Sequence, residues 1–149
     1  MFSKARRAHT LYMMVVFACF GISTEVFFTA FMSVVHHAPL CDKPLVALAG
    51  HSYVWMVFIY GAIPLLGALF HHRLKHWPIW VRLPFYVLLV YIVEFTSGFI
   101  LEKTTGSCPW LYTEGWNVMG LIRLDYFPGW LLFVFLIERL YVFVNSKVR

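Results

Sequence analysis

The chain has 149 residues, of which 61% are hydrophobic, 19% are aromatic and only 13% are charged. Charged residues make up about a quarter of an ordinary soluble domain, and disordered chains are poorer in apolar residues, so this composition excludes both classes. A formal net charge of +5 could indicate a nucleic-acid partner. Because the basic residues lie at the ends of apolar runs, we instead predict an integral, multi-pass membrane protein with no nucleic-acid partner.

Four apolar runs are each long enough to cross a membrane, which takes about 20 residues per helix. The second is the most apolar, since no charged residue lies between Lys43 and Arg73. We predict an all-α polytopic membrane protein, a four-helix transmembrane bundle that forms a single domain over 1–149. The predicted spans lie near 10–35, 51–71, 80–102 and 127–145.

The basic residues in the short loops predict the orientation, because Lys and Arg favour the cytoplasmic side. They are concentrated in the amino terminus, the second loop and the carboxyl terminus, so both termini should be cytoplasmic. Cys41 and Cys108 then lie on the outer or lumenal side, where they are candidates for a disulfide if that side is oxidising. The third cysteine, Cys19, lies within the first span and is most simply a packing residue.

The histidines do not form an established metal motif. His36, His37 and Cys41 give HHxxxC, but adjacent histidines cannot easily bind one metal, so we expect no metal and no cofactor. A second group of histidines stands beside two cations, as in a patch that binds lipid headgroups. This second group consists of His71, His72 and His76, beside Arg73 and Lys75.

The last loop, 103–126, mixes glycine, proline and tryptophan with apolar residues. A loop in water would be more polar. We expect it to be partly buried, either by dipping into the membrane interface or by folding back over the bundle, where irregular backbone is tolerated if it packs on protein or lines a cavity.

Carboxylates within the predicted spans are the first candidates for function, because an ionisable residue costs about 3 kcal/mol at the centre of a membrane helix. Glu25 and Glu94 fall at similar predicted depth on helices that run in the same direction. They could face each other and share a proton, a cation or an arginine. The alternative is that both only lock helices together through hydrogen bonds.

The neighbours of these carboxylates fit a polar pocket, since Thr29 lies four residues after Glu25 and Tyr91 lies three residues before Glu94. Arg123 either reaches toward the same depth or is an ordinary interfacial arginine. We expect Glu138, which is followed directly by Arg139, to extend with it toward the interface. The candidate binding residues are Glu25, Glu94, Arg123, Thr29, Tyr91, Tyr60, Trp110 and Tyr112.

Five stretches of the sequence resemble the transmembrane protein 229 family, within the larger ABC-transporter type IV (CmpB-like) group. They are 21–29, 50–55 with 58–61, 91–101, 108–112, and 117–130 with 138–139. The more specific pieces are Glu-Phe-Thr-Ser-Gly and Cys-Pro-Trp-Leu-Tyr, although the family pattern looks like Cys-Pro-Trp-Asp-Tyr where this chain has Leu111. The resemblance implies a multi-pass membrane protein. The chain contains no nucleotide-binding motif, so any ATPase would be a separate subunit.

Three functions are compatible with these residues. The leading hypothesis is a polar site around Glu25 and Glu94, roofed by 106–126, that binds or translocates a small cation, a proton or a lipid headgroup. The second is a lipid-modifying enzyme that uses the two carboxylates as acid and base, assisted by Tyr112 or Arg123. The third is an accessory subunit of a membrane complex. The expected partners are the lipid bilayer and either further copies of the chain or a partner membrane subunit.

Overall fold

In the computed structural model, residues 4–35, 49–108 and 110–147 are described. These residues form mainly helices, together with one short β-hairpin and a 3₁₀ turn at Leu124–Tyr126. The helices are α1 (Lys4–Val35), α2 (Val54–Leu74), α3 (Ile79–Thr105) and α4 (Phe127–Lys147), and the hairpin strands are β1 (Asn117–Val118) and β2 (Ile122–Arg123).

All four helices of the described chain are long and apolar enough to cross a membrane, which confirms four candidate spans by length and composition. The shortest, α2 and α4, have 21 residues each. At 1.5 Å per residue this is about 32 Å, close to the thickness of a hydrocarbon core. α1 begins at Lys4, whereas the predicted span begins near residue 10, and with 32 residues the helix is longer than the hydrocarbon core is thick. The cytoplasmic placement of both termini stays a prediction.

The ends of α3 have identifiable local causes. Pro78 precedes the first helical residue, where its missing N–H and its fixed φ are tolerated. At the other end Gly106 adopts φ 77°, and its N–H donates to the carbonyl of Glu102. Because this left-handed conformation favours glycine, Gly106 ends the helix and directs the chain into the loop.

The described chain forms two compact units, one that ends at Phe70 and a second over His71–Lys147. In the first unit α1 packs against the first part of α2, where Gly21 meets the buried ring of Tyr60 so closely that any Cβ would clash with it. Small residues of this kind let membrane helices approach each other. Gly21 therefore sets the spacing at this contact.

In the second unit α4 runs back along α3, and the intervening loop folds onto α3. A Cβ at Gly98 of α3 would lie 3.2–3.3 Å from the loop side chains of Leu121, Cys108 and Trp110, so the loop covers this glycine closely. Leu121 is fully buried. The loop is held by the Asn117↔Arg123 strand pair and by a hydrogen bond from the Trp110 indole to the carbonyl of Leu121 at 3.2 Å.

Candidate functional site

The carboxylate of Glu25 is half-buried on α1 and is held by hydroxyl groups of the first unit. The Ser52 hydroxyl donates to Glu25 Oε2 at 2.9 Å. The buried Tyr60 side chain also hydrogen-bonds to the carboxylate, and the exposed His51 interacts with it electrostatically. Among the described residues, no Lys or Arg forms an ion pair with Glu25, so hydroxyl groups take the place that a cation usually has.

Thr29 lies one turn along α1 and extends the same polar face. Its hydroxyl accepts from the N–H of His51 at 2.9 Å and lies 3.1 Å from the carbonyl of His51, to which it can donate. The hydrogen bonds of Thr29 and Ser52 thus hold the segment before α2 against the face of α1 that carries Glu25. Carboxylate, hydroxyl and carbonyl oxygens are therefore concentrated in one small region.

Gly50 makes this arrangement sterically possible. A Cβ at this position would clash with the backbone carbonyl of Val26 on α1. Glycine is needed where a backbone must approach another backbone this closely. Gly50 and Ser52 were not among the predicted site residues, although both lie in the 50–55 stretch of the family resemblance. Ser52 falls within the predicted span 51–71, but α2 begins only at Val54, so helical periodicity does not apply to it.

Glu94 lies on α3 and belongs to the second unit, where the loop supplies its partner. The Tyr112 hydroxyl donates to Glu94 Oε1 at 2.8 Å. Tyr112 is fixed in turn by its backbone N–H, which donates to the carbonyl of Gly120 at 2.9 Å. Glu94 precedes the end of α3 by about three turns, or about 16 Å along the helix axis. The loop therefore reaches well below the end of the helix to meet this carboxylate.

Two other predicted residues have partners in or beside the loop. The Tyr91 hydroxyl lies 3.4 Å from the carbonyl of Leu124. Arg123 pairs with Asp125 at 2.9 Å, and its guanidinium lies 4.3 Å from the centroid of the Tyr126 ring. The hydrogen bonds to Asp125 raise the pKa of Arg123. The structure thus places Arg123 in a local pair within the loop.

The predicted residues fall into two groups. Whether the two predicted carboxylates face each other stays a prediction. The first unit holds Glu25, Thr29 and Tyr60, and the second holds Glu94, Tyr91, Trp110, Tyr112 and Arg123.

The cysteine prediction is only partly within the described chain. Among the described residues Cys108 has no disulfide partner; its thiol donates to the carbonyl of Trp110 at 3.0 Å, and burial raises its pKa. Its predicted partner Cys41, like His36 and His37, lies outside the described residues. The disulfide therefore stays a prediction.

The prediction for Glu138 is wrong, because its carboxylate is buried, with 7% of the residue exposed. Arg82, at the start of α3, forms a bidentate ion pair with this carboxylate. Its Nε lies 2.8 Å from Oε1, and its Nη2 donates to Oε2 at 3.0 Å. His71 Nδ1 lies 3.5 Å from the same carboxylate. Arg139 instead lies over the Phe135 ring, at 5.1 Å.

The true partner of Glu138 could have been found from the helix order. Because α4 runs back along α3, the start of α3 and the second half of α4 meet at one end of the unit. Arg82 is the basic residue at that end of α3. Its Nη1 donates to the carbonyls of Lys75 and Trp77 at 3.1 and 2.9 Å. We call Arg82, Glu138 and His71 the α3–α4 clasp.

Comparison with protein-family models finds no match for this chain, and comparison with solved structures finds none either. The resemblance to the transmembrane protein 229 family therefore stays an expectation from the sequence.

Proposed function

We propose that the chain is an integral multi-pass membrane protein in which Glu25 binds a proton or a small cation, as the binding site of a transport or sensing process. The observation that carries this proposal is the set of partners around Glu25. The carboxylate lies within a helix of spanning length and is held by the hydroxyl of Ser52, and no described Lys or Arg pairs with it.

The chemistry of the site supports these two ligands. A carboxylate in a membrane helix is strongly disfavoured as a bare anion, so it must be protonated, paired or bound to a cation. Hydroxyl and carbonyl oxygens, together with a carboxylate, are the ligands that hard cations prefer. Ser52, Thr29 and the carbonyl of His51 supply such oxygens beside Glu25. Exchange of a proton or a cation at this carboxylate would give a reversible site.

Glu94 is the second carboxylate of the proposal. Its hydrogen bond from Tyr112 leaves the carboxylate oriented by a neutral donor, which is compatible with reversible protonation. The proposal also includes the orientation with both termini cytoplasmic and membership in the transmembrane protein 229 family, both of which come from the sequence alone.

The test counts bound ligands in purified protein. Protons taken up after a rapid drop in pH are measured with an indicator dye, and binding of radioactive sodium is measured separately. We expect Glu25→Gln to remove about one proton or one cation per chain, because an amide neither titrates nor carries charge. We expect Ser52→Ala to weaken sodium binding about tenfold, because the hydroxyl orients the carboxylate and offers a further oxygen ligand. For the proton the effect is opposite: Ser52→Ala should bind it more tightly, because the lost hydrogen bond no longer stabilises the charged carboxylate.

The matched control is Glu102→Gln, which removes an exposed carboxylate near the end of α3. Its effect on sodium binding should be negligible, because it lies outside the Glu25 site. Equal proton and sodium counts in wild type and Glu25→Gln would overturn the proposal, provided both proteins elute identically on size-exclusion chromatography.

A further inference from the structure

The turn between α2 and α3 has an excess of positive charge. The chain contains no Asp or Glu over residues 43–93, so no acidic side chain of the turn, of α2 or of the first half of α3 offsets its cations. Arg73 and Lys75 are both exposed, as are His72 and His76. Among the residues that the structure describes, neither Arg73 nor Lys75 forms an ion pair. Their charges are therefore available to a partner.

Arg82 does not share this role, because the α3–α4 clasp uses its charge. Its guanidinium pairs with Glu138 and is 14% exposed. Its remaining contacts, to the carbonyls of Lys75 and Trp77, fix the backbone of the turn. Lys75 thus extends from a turn whose conformation is already set, which lowers the entropy that a partner must overcome.

Two exposed tryptophans flank the same cations. Trp77 is 43% exposed and Trp80 is 77% exposed. The Trp77 ring packs edge-on against Phe85, with centroids 6.1 Å apart, so it has a fixed position. Exposed indoles at the ends of spanning helices favour the headgroup region of a bilayer. The cations of the turn would then lie at the level of the lipid phosphates.

We infer that residues 71–80, which we call the basic turn, bind the headgroups of anionic phospholipids. Arg73 and Lys75 contact the phosphate oxygens, while Trp77 and Trp80 pack at the level of the glycerol groups. Charge complementarity selects this occupant, because a zwitterionic lipid offers the cations no net charge. This inference rests on the proposed membrane insertion, but it is independent of the ligand of Glu25.

The experiment measures lipid preference directly. The protein is placed in nanodiscs that contain equal amounts of phosphatidylglycerol and phosphatidylcholine, and the lipids retained after ejection are counted by native mass spectrometry. We expect wild type to retain phosphatidylglycerol preferentially. Each surface cation contributes about a fivefold preference for the anionic lipid. The variant Arg73→Gln/Lys75→Gln should therefore lower the preference for phosphatidylglycerol about 30-fold at low salt.

The matched control removes the same charge elsewhere, in the variant Lys103→Gln/Lys147→Gln, and should keep the preference. The inference is overturned if the basic-turn variant retains phosphatidylglycerol as wild type does, or if the control loses as much. Glu25→Gln separates this site from the proposed function: it should abolish binding of the proton or cation and keep the lipid preference. Loss of the lipid preference in Glu25→Gln would also contradict the inference.

Discussion

Glu25 and Glu138 are both glutamates in helices of spanning length, yet their surroundings differ in kind. Glu138 is buried in a bidentate pair with Arg82, and His71 lies beside it. Glu25 is half-buried and is held by the hydroxyl of Ser52. One carboxylate is thus neutralised by a fixed cation, whereas the other is oriented by hydroxyl groups and has no Lys or Arg partner among the described residues.

The difference in partners distinguishes a carboxylate that stabilises the fold from one whose charge is available to a ligand. A buried carboxylate with a permanent guanidinium partner has little reason to exchange a proton or a cation, since its charge is already balanced. A carboxylate that hydroxyl groups orient has no permanent guanidinium partner, so a proton or a cation must balance its charge. The presence of a glutamate in a membrane helix therefore does not identify a site. The kind of partner does.

The largest expected effect comes from breaking the α3–α4 clasp. Arg82→Met leaves Glu138 buried without its bidentate partner, which costs about 3–5 kcal/mol of the free energy of unfolding. The double variant Arg82→Met/Glu138→Leu should recover much of that loss, because no isolated charge remains buried. Thermal unfolding in detergent measures both. Arg139→Met, which removes an exposed cation one position away, should change stability by no more than about 0.5 kcal/mol.

This prediction fails if the single and double variants are equally unstable, since the pair would then contribute nothing as a pair. It also fails if Arg139→Met is as harmful as Arg82→Met, because the clasp would not be the source of the loss. In either case the contrast between Glu138 and Glu25 would lose its physical basis.

The next effect concerns the packing behind Glu25. Gly21→Ala should lower the free energy of unfolding by about 1–3 kcal/mol, because the new methyl group clashes with the Tyr60 ring and a well-packed contact must shift. Displacement of Tyr60 should also change ligand binding at Glu25, because Tyr60 hydrogen-bonds to the carboxylate. The control is Gly129→Ala in α4, where a Cβ would have nothing within 4 Å. Equal stability of both variants and wild type would show that this contact does not hold the Glu25 site.

The sequence predicts the helices well because apolar length alone identifies a spanning segment. Periodicity also places Thr29 beside Glu25, since residues four apart share a helix face. Periodicity does not identify Ser52 and Gly50, because they lie before α2 in irregular backbone, where side chains follow no repeat. Adjacency misled the prediction for Glu138, because consecutive residues on a helix do not face each other. Its partner Arg82 lies 56 residues away in the chain.

The smallest expected effect tests whether Glu94 resembles Glu25 or Glu138. Tyr112→Phe removes the hydroxyl that donates to Glu94 at 2.8 Å, and should lower the free energy of unfolding by about 1.5 kcal/mol. Tyr53→Phe, which removes an exposed hydroxyl, is the matched control and should have almost no effect. A loss for Tyr112→Phe as large as that for Arg82→Met would place Glu94 with the structural carboxylates. A small loss, together with a changed number of bound protons, would place it with Glu25, because a neutral donor controls orientation and protonation more than it controls stability.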